Sequence, residues 1–477
     1  MKNDKLLIKN FGPIKQAEIS ITPLTIFIGP NSSGKSFSTV LIHSLLNSFN
    51  EFGFNQYEHI RNKSVKLFLE NNDEIFKEFK NELTDYVNSK PKISGEPFKF
   101  PTNKFKLILK ESFGQVFREI IEEKLKDSFS NNLNNLNRLK RYPFKFTYNN
   151  NAFSNDNGEL SLNEHYVDMN KVKDEGLSSE ESNICFFEID ENFLSIHLNY
   201  ILWENFFNTK NELFSEIIFM MIVSSVMDTF NKTSYYLPAA GNELFKDINT
   251  FISNDIKGSL EHSLVQKELL INFLKIEKDM DKSPFYQLTE ELEQEILGGK
   301  IKFKNNEVKE ELVFFDEEHN MEFELSLTSS SIRELIPIIL HLKYFLKKDD
   351  TLIIEEPENH LNPKNQLILV KYLVKAINLG LNIIITTHSD YIVEKFNNFI
   401  RLANANDEIF EKFDYDETNA LDYQKTSIYN FKKDDSYGYT VESIDINETG
   451  FDENSFYEVN AELYDESVDI IDGARDE

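Results

Sequence analysis

Eight residues, Gly29-Pro30-Asn31-Ser32-Ser33-Gly34-Lys35-Ser36, constrain this chain more than any other stretch. They follow an apolar β-type run, Leu24 to Ile28, and precede a helix-like run, Phe37 to Leu46. That is the strand–GxxxxGK[ST]–helix setting of a phosphate-binding loop. Gly29 and Gly34 permit a tight turn whose N–H groups point into one concavity. The helix that follows adds its N-terminal partial positive charge. Lys35 can reach two phosphates, and the Ser36 hydroxyl can ligate Mg²⁺. Gly29 through Ser36, with Phe37 behind them, form the candidate nucleotide-binding set.

Three further segments stand far along the chain. Residues 351–363 read TLIIEEPENHLNP, a short apolar strand, Leu352 to Ile354, ending on Glu355 and Glu356. A carboxylate at the tip of a buried strand beside a phosphate loop suits a metal-side role. The next acid is placed to accept a proton from an attacking water. By itself this segment reads as a charged strand end before a proline turn. A second strand, Leu381 to Ile385, ends near His388. If strands 352–354 and 383–385 are parallel neighbours, His388 shares the carboxyl edge with both acids, where ligands of open parallel sheets bind. Pro363 to Leu379 is the crossover helix such a unit needs. Finally, Ser329, Ser330 and Ser331 open an apolar helix. They read as N-caps or as donors to an anion. Pro337 predicts a kink there, or a helix start delayed toward it.

Together these segments resemble the ABC-type ATPase heads of the SMC, RecF and OLD (overcoming lysogenization defect) group. The order is the same: P-loop at 29–36, signature at 328–332, Walker B at 352–356, D-loop at 359–363 and switch histidine at 388. The string Glu356 to Pro363, followed by Gln366, is similar to the wording of OLD-like defence ATPases. The resemblance implies an α/β P-loop head that binds ATP and Mg²⁺ and works as a homodimer or higher homo-oligomer. It implies Mg²⁺ held by Ser36 and Glu355, Glu356 as the base, His388 as γ-phosphate sensor and Lys35 on the phosphates. One of Ser329, Ser330 and Ser331 would contact the partner copy's ATP, and Asn362 would report across the dimer. It further implies prokaryotic antiviral defence, as in the ATPase subunits of Septu or PARIS, acting on a separate nuclease or toxin effector. Competing readings are a RecF-like DNA-repair ATPase and a non-hydrolysing nucleotide-gated scaffold. The signature here lacks both glycines of its usual form, the metal-side acid is Glu rather than Asp, and Gln56 is a weak Q-loop candidate. Gly241 and Asn242 follow Tyr235 to Ala240 where relatives often carry an arginine.

Composition narrows the rest. The chain has 477 residues, 40% apolar and 28% charged, enough for two or three packed units. Its single cysteine, Cys185, excludes an intrachain disulfide and suits a cytoplasmic protein. The run Ile217 to Met227 is too short to span a membrane. A net charge of −30 argues against the chain wrapping nucleic acid. Arg138, Lys140, Arg141 and Lys145, interleaved with Tyr142, Phe144 and Phe146, are the best local patch, and a solvated edge strand explains them as well. From Val441 onward there are thirteen acids and one base, Arg475, so the tail solvates or docks on a basic partner.

The expected organisation is a split head, residues 1–50 and 298–400, interrupted by a mainly helical insertion over 51–297. An acidic α+β extension follows over 401–477. Helical spacing recurs at Ile75 to Tyr86, Phe113 to Leu125, Trp203 to Phe230, Val265 to Leu274 and Leu288 to Ile296. Residues 149–183 read as a surface loop, and 300–327 as a β-meander feeding the signature helix. The tail has no Glu plus Asp-x-Asp set for a nuclease.

Overall fold

The computed structural model describes residues 4–47, 74–88, 97–105, 108, 128–129, 145–148, 151–154, 160–161, 185–189, 193–198, 233–239, 264–277, 280–304, 312–434, 438–452 and 464–471. They fall into two compact units, Met1–Val40 with Ser234–Glu477, and Leu41–Thr233.

The first unit opens with the hairpin β1 (Asp4–Phe11) and β2 (Ile14–Ile21), then β3 (Leu24–Ile28) and the start of α1 (Lys35–Asn47). It resumes with β4 (Ser234–Leu237), α2 (Leu264–Leu274), α3 (Tyr286–Leu297) and the strands β5 (Gly299–Phe303), β6 (Leu312–Asp316) and β7 (Met321–Glu324). Next come α4 (Ser330–Leu340), β8 (Thr351–Glu355), α5 (Pro363–Asn378), β9 (Asn382–Thr386) and α6 (Asp390–Leu402). The last are α7 (Asp407–Phe413), β10 (Thr426–Lys433) and β11 (Tyr439–Ile444). One sheet carries the order β4-β8-β9-β3-β10-β11-β2-β1. Neighbours from β4 to β10 are parallel, β10–β11 and β2–β1 antiparallel, and β11–β2 parallel. The expected α/β head is therefore present, as a mixed sheet with helices.

The parallel strands are apolar without alternation because both faces are covered. Leu24, Ile26, Ile28, Leu352, Ile354, Ile383 and Ile385 share one core with Leu369, Leu373 and Ile377 of α5 and Phe396 and Ile400 of α6. On the other face Phe27 meets Phe431 edge-on at 5.5 Å. Each such side chain contributes about 1.5–3 kcal/mol on burial, so the carboxyl edge sits on a stiff platform. Asn362 caps α5 by accepting from Asn365 N–H, with Pro363 at the first turn.

Three boundaries differ from the sequence reading. The head does not end at 400. β10 lies directly beside the P-loop strand, Ser427 opposite Thr25 and Asn430 opposite Ile28. Nor does the second lobe begin at 298, since β4 pairs with β8. Short strands name no partner in their own sequence, so neither placement was legible locally. Third, α4 starts at Ser330 and runs through Pro337. Its irregularity falls later, in the π-turn His341–Phe345. The β5–β6–β7 meander is antiparallel as expected.

In the second unit the helix Glu74–Asn88 matches its spacing. Phe79 packs on Phe98, Phe100 and Phe105 at 5.9, 5.0 and 6.0 Å. Strand Phe193–Leu198 pairs with Phe98–Pro101 and with Cys185–Ile189. Strands Lys145–Tyr148, Asn151–Ser154 and Leu160–Ser161 form antiparallel pairs. The last two lie inside the expected surface loop. Residues 113–125, 203–230, Gln56 and Arg138 through Phe144 lie outside the described residues.

Candidate functional site

The phosphate loop takes the backbone hand its glycines allow. Gly29 has φ 131°, Ser32 60° and Gly34 110°. A Cβ on Gly29 would stand 2.7 Å from the Phe431 carbonyl oxygen, and one on Gly34 2.7 Å from Ile14 Cγ1. Side chains larger than hydrogen do not fit there. Lys35 is buried, and its Nζ donates to the carbonyls of Gly29 and Pro30 at 2.8 and 2.9 Å. Burial pulls the ammonium down to about 8, against the opposing pull of Glu356, Glu358 and Glu355. Pro30, Asn31, Ser32 and Ser36 are exposed, while Ser33 is buried with its hydroxyl unpartnered among the described residues. The Phe37 ring meets Phe11 edge-on at 6.2 Å and covers Gly12. What Phe37 offers a phosphate is its backbone N–H.

β3, β9 and β8 align so that this loop, His388 and both acids share one edge. Glu355 pairs with Thr386, and Thr386 with Phe27. Glu356 has φ 48°, a conformation costly for a non-glycine residue. It is held by its N–H on the Thr386 carbonyl at 2.8 Å and by Asn359 Nδ2 on its Oε2 at 3.2 Å. The Glu356 Oε1 lies 3.6 Å from His388 Nε2. Burial, then the nearby Lys35 charge, lowers the His388 pKa, so the imidazole faces Glu356 neutral at pH 7. Two further carboxylates shape the edge. Glu355 keeps a buried Oε1 without a hydrogen-bond partner among the described residues. Glu358, which the sequence reading passed over, accepts the His388 backbone N–H at 2.6 Å, and burial raises its pKa. It thereby fastens the histidine loop to the loop that carries Glu356. Asn359 was also missed. Both follow Glu356 in the quoted string, yet nothing local tells which way their side chains turn.

The three serines separate. Ser329 caps α4 by accepting from Ile332 N–H at 3.3 Å. Ser331 donates to the His360 carbonyl at 2.7 Å, tying the start of α4 to the loop before α5. Ser330 is exposed. Asn362 spends its side-chain oxygen on the α5 cap.

Among the described residues no group of three or more His, Cys, Asp or Glu could hold a metal. A phosphate-bound cation needs fewer protein ligands. The exposed Ser36 hydroxyl at a helix start and the orphaned Glu355 oxygen fit that requirement. No helix among the described residues is long and apolar enough to cross a membrane.

A phosphate loop between parallel strands tipped with acids and a histidine defines a P-loop nucleotide-binding α/β domain. The AAA ATPase domain model matches residues 1–393, and the chain belongs to that family. No curated protein matches it. Among solved structures it is similar to an SMC head bound to the C-winged helix domain of ScpA, at 11% identity and TM-score 0.36, over 94% of this chain and 98% of that one. The SMC head domain from Thermotoga maritima matches at 11% identity and TM-score 0.33, over 94% and 100%. An Smc head with an extended coiled coil bound to the C-terminal domain of ScpA, derived from Pyrococcus furiosus, matches at 10% and TM-score 0.33, over 99% and 98%. Overlap at that level is too loose to bear on partners or chemistry.

Proposed function

We propose that this chain binds ATP with Mg²⁺ and hydrolyses it, with Glu356 as general base. The observation that carries the reading is the setting of Glu356. Its backbone is bent, its carboxylate is held by Asn359, and one oxygen is 3.6 Å from His388 on the edge that bears the P-loop. Lys35 releases the Gly29 and Pro30 carbonyls to bind the phosphates. Glu356 orients a water and takes its proton at the carboxylate. His388, neutral and fastened by Glu358, hydrogen-bonds the γ-phosphate side. Mg²⁺, held by Ser36 and Glu355, would neutralise phosphate charge.

The working unit is a head-to-tail dimer. Ser330 is the one exposed serine of the three whose side chain is not spent on its own helix or D-loop, so it is the candidate to meet the partner's nucleotide. Asn362, committed to its cap, acts through the D-loop backbone. The likeness of residues 356–366 to OLD-like ATPases supports a further reading, an ATPase subunit in antiviral defence that controls a separate nuclease or toxin. Phosphate release by wild type, Glu356→Gln and Lys35→Ala tests the chemistry. The reading expects turnover in the first and loss of it in both variants, and full activity of Glu356→Gln would sink it.

A further inference from the structure

The turn that begins at Glu356 is tied to the segment that carries His388 at its start, middle and end. At the start the Glu356 N–H donates to the Thr386 carbonyl at 2.8 Å. In the middle Glu358 accepts the His388 N–H at 2.6 Å. The tie at the end runs through two buried side chains, Gln366 of α5 and Ser389 at the cap of α6. Gln366 Nε2 donates to the Leu361 carbonyl at 2.9 Å, and its Oε1 accepts the Ser389 hydroxyl at 2.6 Å. The Ser389 oxygen in turn accepts the Ile392 N–H at 3.4 Å. The protons are all accounted for. Ser389 has one hydroxyl proton and gives it to Gln366, and a carbonyl only accepts, so the amide nitrogen must face Leu361. Of the side chains of similar length, Met offers neither group and an ionised Glu offers no donor. The turn needs such fastening, because Glu356 and His360 hold φ of 48° and 58°. Non-glycine residues keep that conformation only where their surroundings impose it. Leu361 directly follows the second of them, and Ser389 directly follows His388.

We propose that Gln366 is a positioning residue for the hydrolysis proposed above, holding the bent turn of Glu356 against the segment of His388 so that base and imidazole keep their separation. That separation is the 3.6 Å between Glu356 Oε1 and His388 Nε2. The proposal rests on Glu356 and His388 acting in that reaction. Misplacing a reacting group by about 1 Å can slow a reaction on the order of 100-fold, even when the altered residue is remote from the chemistry.

The experiment measures phosphate release and binding of a fluorescent, non-hydrolysable ATP analogue by the full chain. It compares wild type with Gln366→Met, Ser389→Ala, the double variant and Glu356→Gln. For Gln366→Met the expected result is a kcat lowered about 10- to 100-fold, with the affinity for the analogue unchanged. Ser389→Ala should lower kcat in the same way. The two substitutions break one shared tie, so the double variant should fall no further than Gln366→Met alone. A merely structural role would weaken the analogue's affinity together with kcat, and that result overturns the proposal. So does a double variant whose loss is the product of the two single losses. If Glu356→Gln is inactive while Gln366→Met turns over like wild type, the positioning role is overturned and the hydrolysis reading stands. If wild type releases no phosphate, or Glu356→Gln releases it freely, the hydrolysis reading fails and takes the inference with it. Should Gln366→Met lack a cooperative melt, Ser389→Ala decides: a lowered kcat with unchanged affinity supports the proposal, and an unchanged kcat overturns it.

Discussion

Lys35 links nucleotide affinity to pH in a direction that can be worked out from its burial. Its ammonium titrates near 8 rather than at the ordinary 10.5, chiefly because it is desolvated. A bound polyphosphate supplies negative charge at that nitrogen and returns its pKa toward 10.5. The gap, at about 1.4 kcal/mol per pH unit, caps the coupling at roughly 3 kcal/mol. Affinity for an ATP analogue should therefore fall about tenfold between pH 7 and pH 9, as free Lys35 loses its proton. Stability of the nucleotide-free protein moves the opposite way. The folded pKa is depressed, so the favourable contribution is present above 10.5 and lost as pH falls through 8. Relative to Lys35→Met, wild type should gain stability as pH rises across that window. Equilibrium binding and urea unfolding at several pH values read both slopes. Lys35→Arg, which does not titrate, should bind with no slope over the same range. Flat wild-type affinity from pH 7 to 9, or an equal slope in Lys35→Arg, would mean that the Lys35 proton does not set the pH dependence.

Other expectations follow from single contacts. Lys343 and Glu293 form a buried pair at 2.5 Å, and Ile301 N–H also donates to Glu293 at 2.9 Å. Lys343→Met strands that carboxylate and should cost about 3–5 kcal/mol in urea unfolding. The loss should shrink as pH falls, because burial already raises the Glu293 pKa and the acid then takes up a proton. A cost under about 1 kcal/mol contradicts the pair's role. Gly29→Ala places a Cβ 2.7 Å from a backbone carbonyl at φ 131° and should cost about 1–3 kcal/mol, with weakened analogue binding. Unchanged binding and melting would mean the loop is not held as described. Glu358→Ala unfastens His388 and should lower kcat about 10- to 100-fold with the analogue's affinity unchanged. An equal loss of affinity would mean a general collapse of the edge.

The site was more legible than the sheet that carries it. Gly29 to Ser36 announce themselves because a phosphate loop needs those residue types at fixed offsets. The apolar runs ending at Glu355 and near His388 gave both the strands and the edge on which they meet. The register that sets Glu355 opposite Thr386, and Thr386 opposite Phe27, then followed from parallel pairing. What stayed hidden depended on contacts between distant segments. Tyr236 reaches Thr39 across 197 residues of sequence. β10 enters the sheet beside a strand about 400 residues earlier, and the only trace is the glycine at 29, which makes room for the Phe431 carbonyl. Glu358 and Asn359 were visible as letters, but their work depends on a turn at Glu356 that leaves the ordinary backbone region.

On the proposed function, nucleotide drives association of two heads and Glu356 ends it. The most direct test is the mass in solution of Glu356→Gln with ATP, with ADP and without nucleotide, by light scattering, beside wild-type phosphate release. The variant should be a dimer with ATP only, while wild type turns over and does not accumulate one. A variant that stays the same size with and without ATP, beside a wild type that hydrolyses, would contradict it.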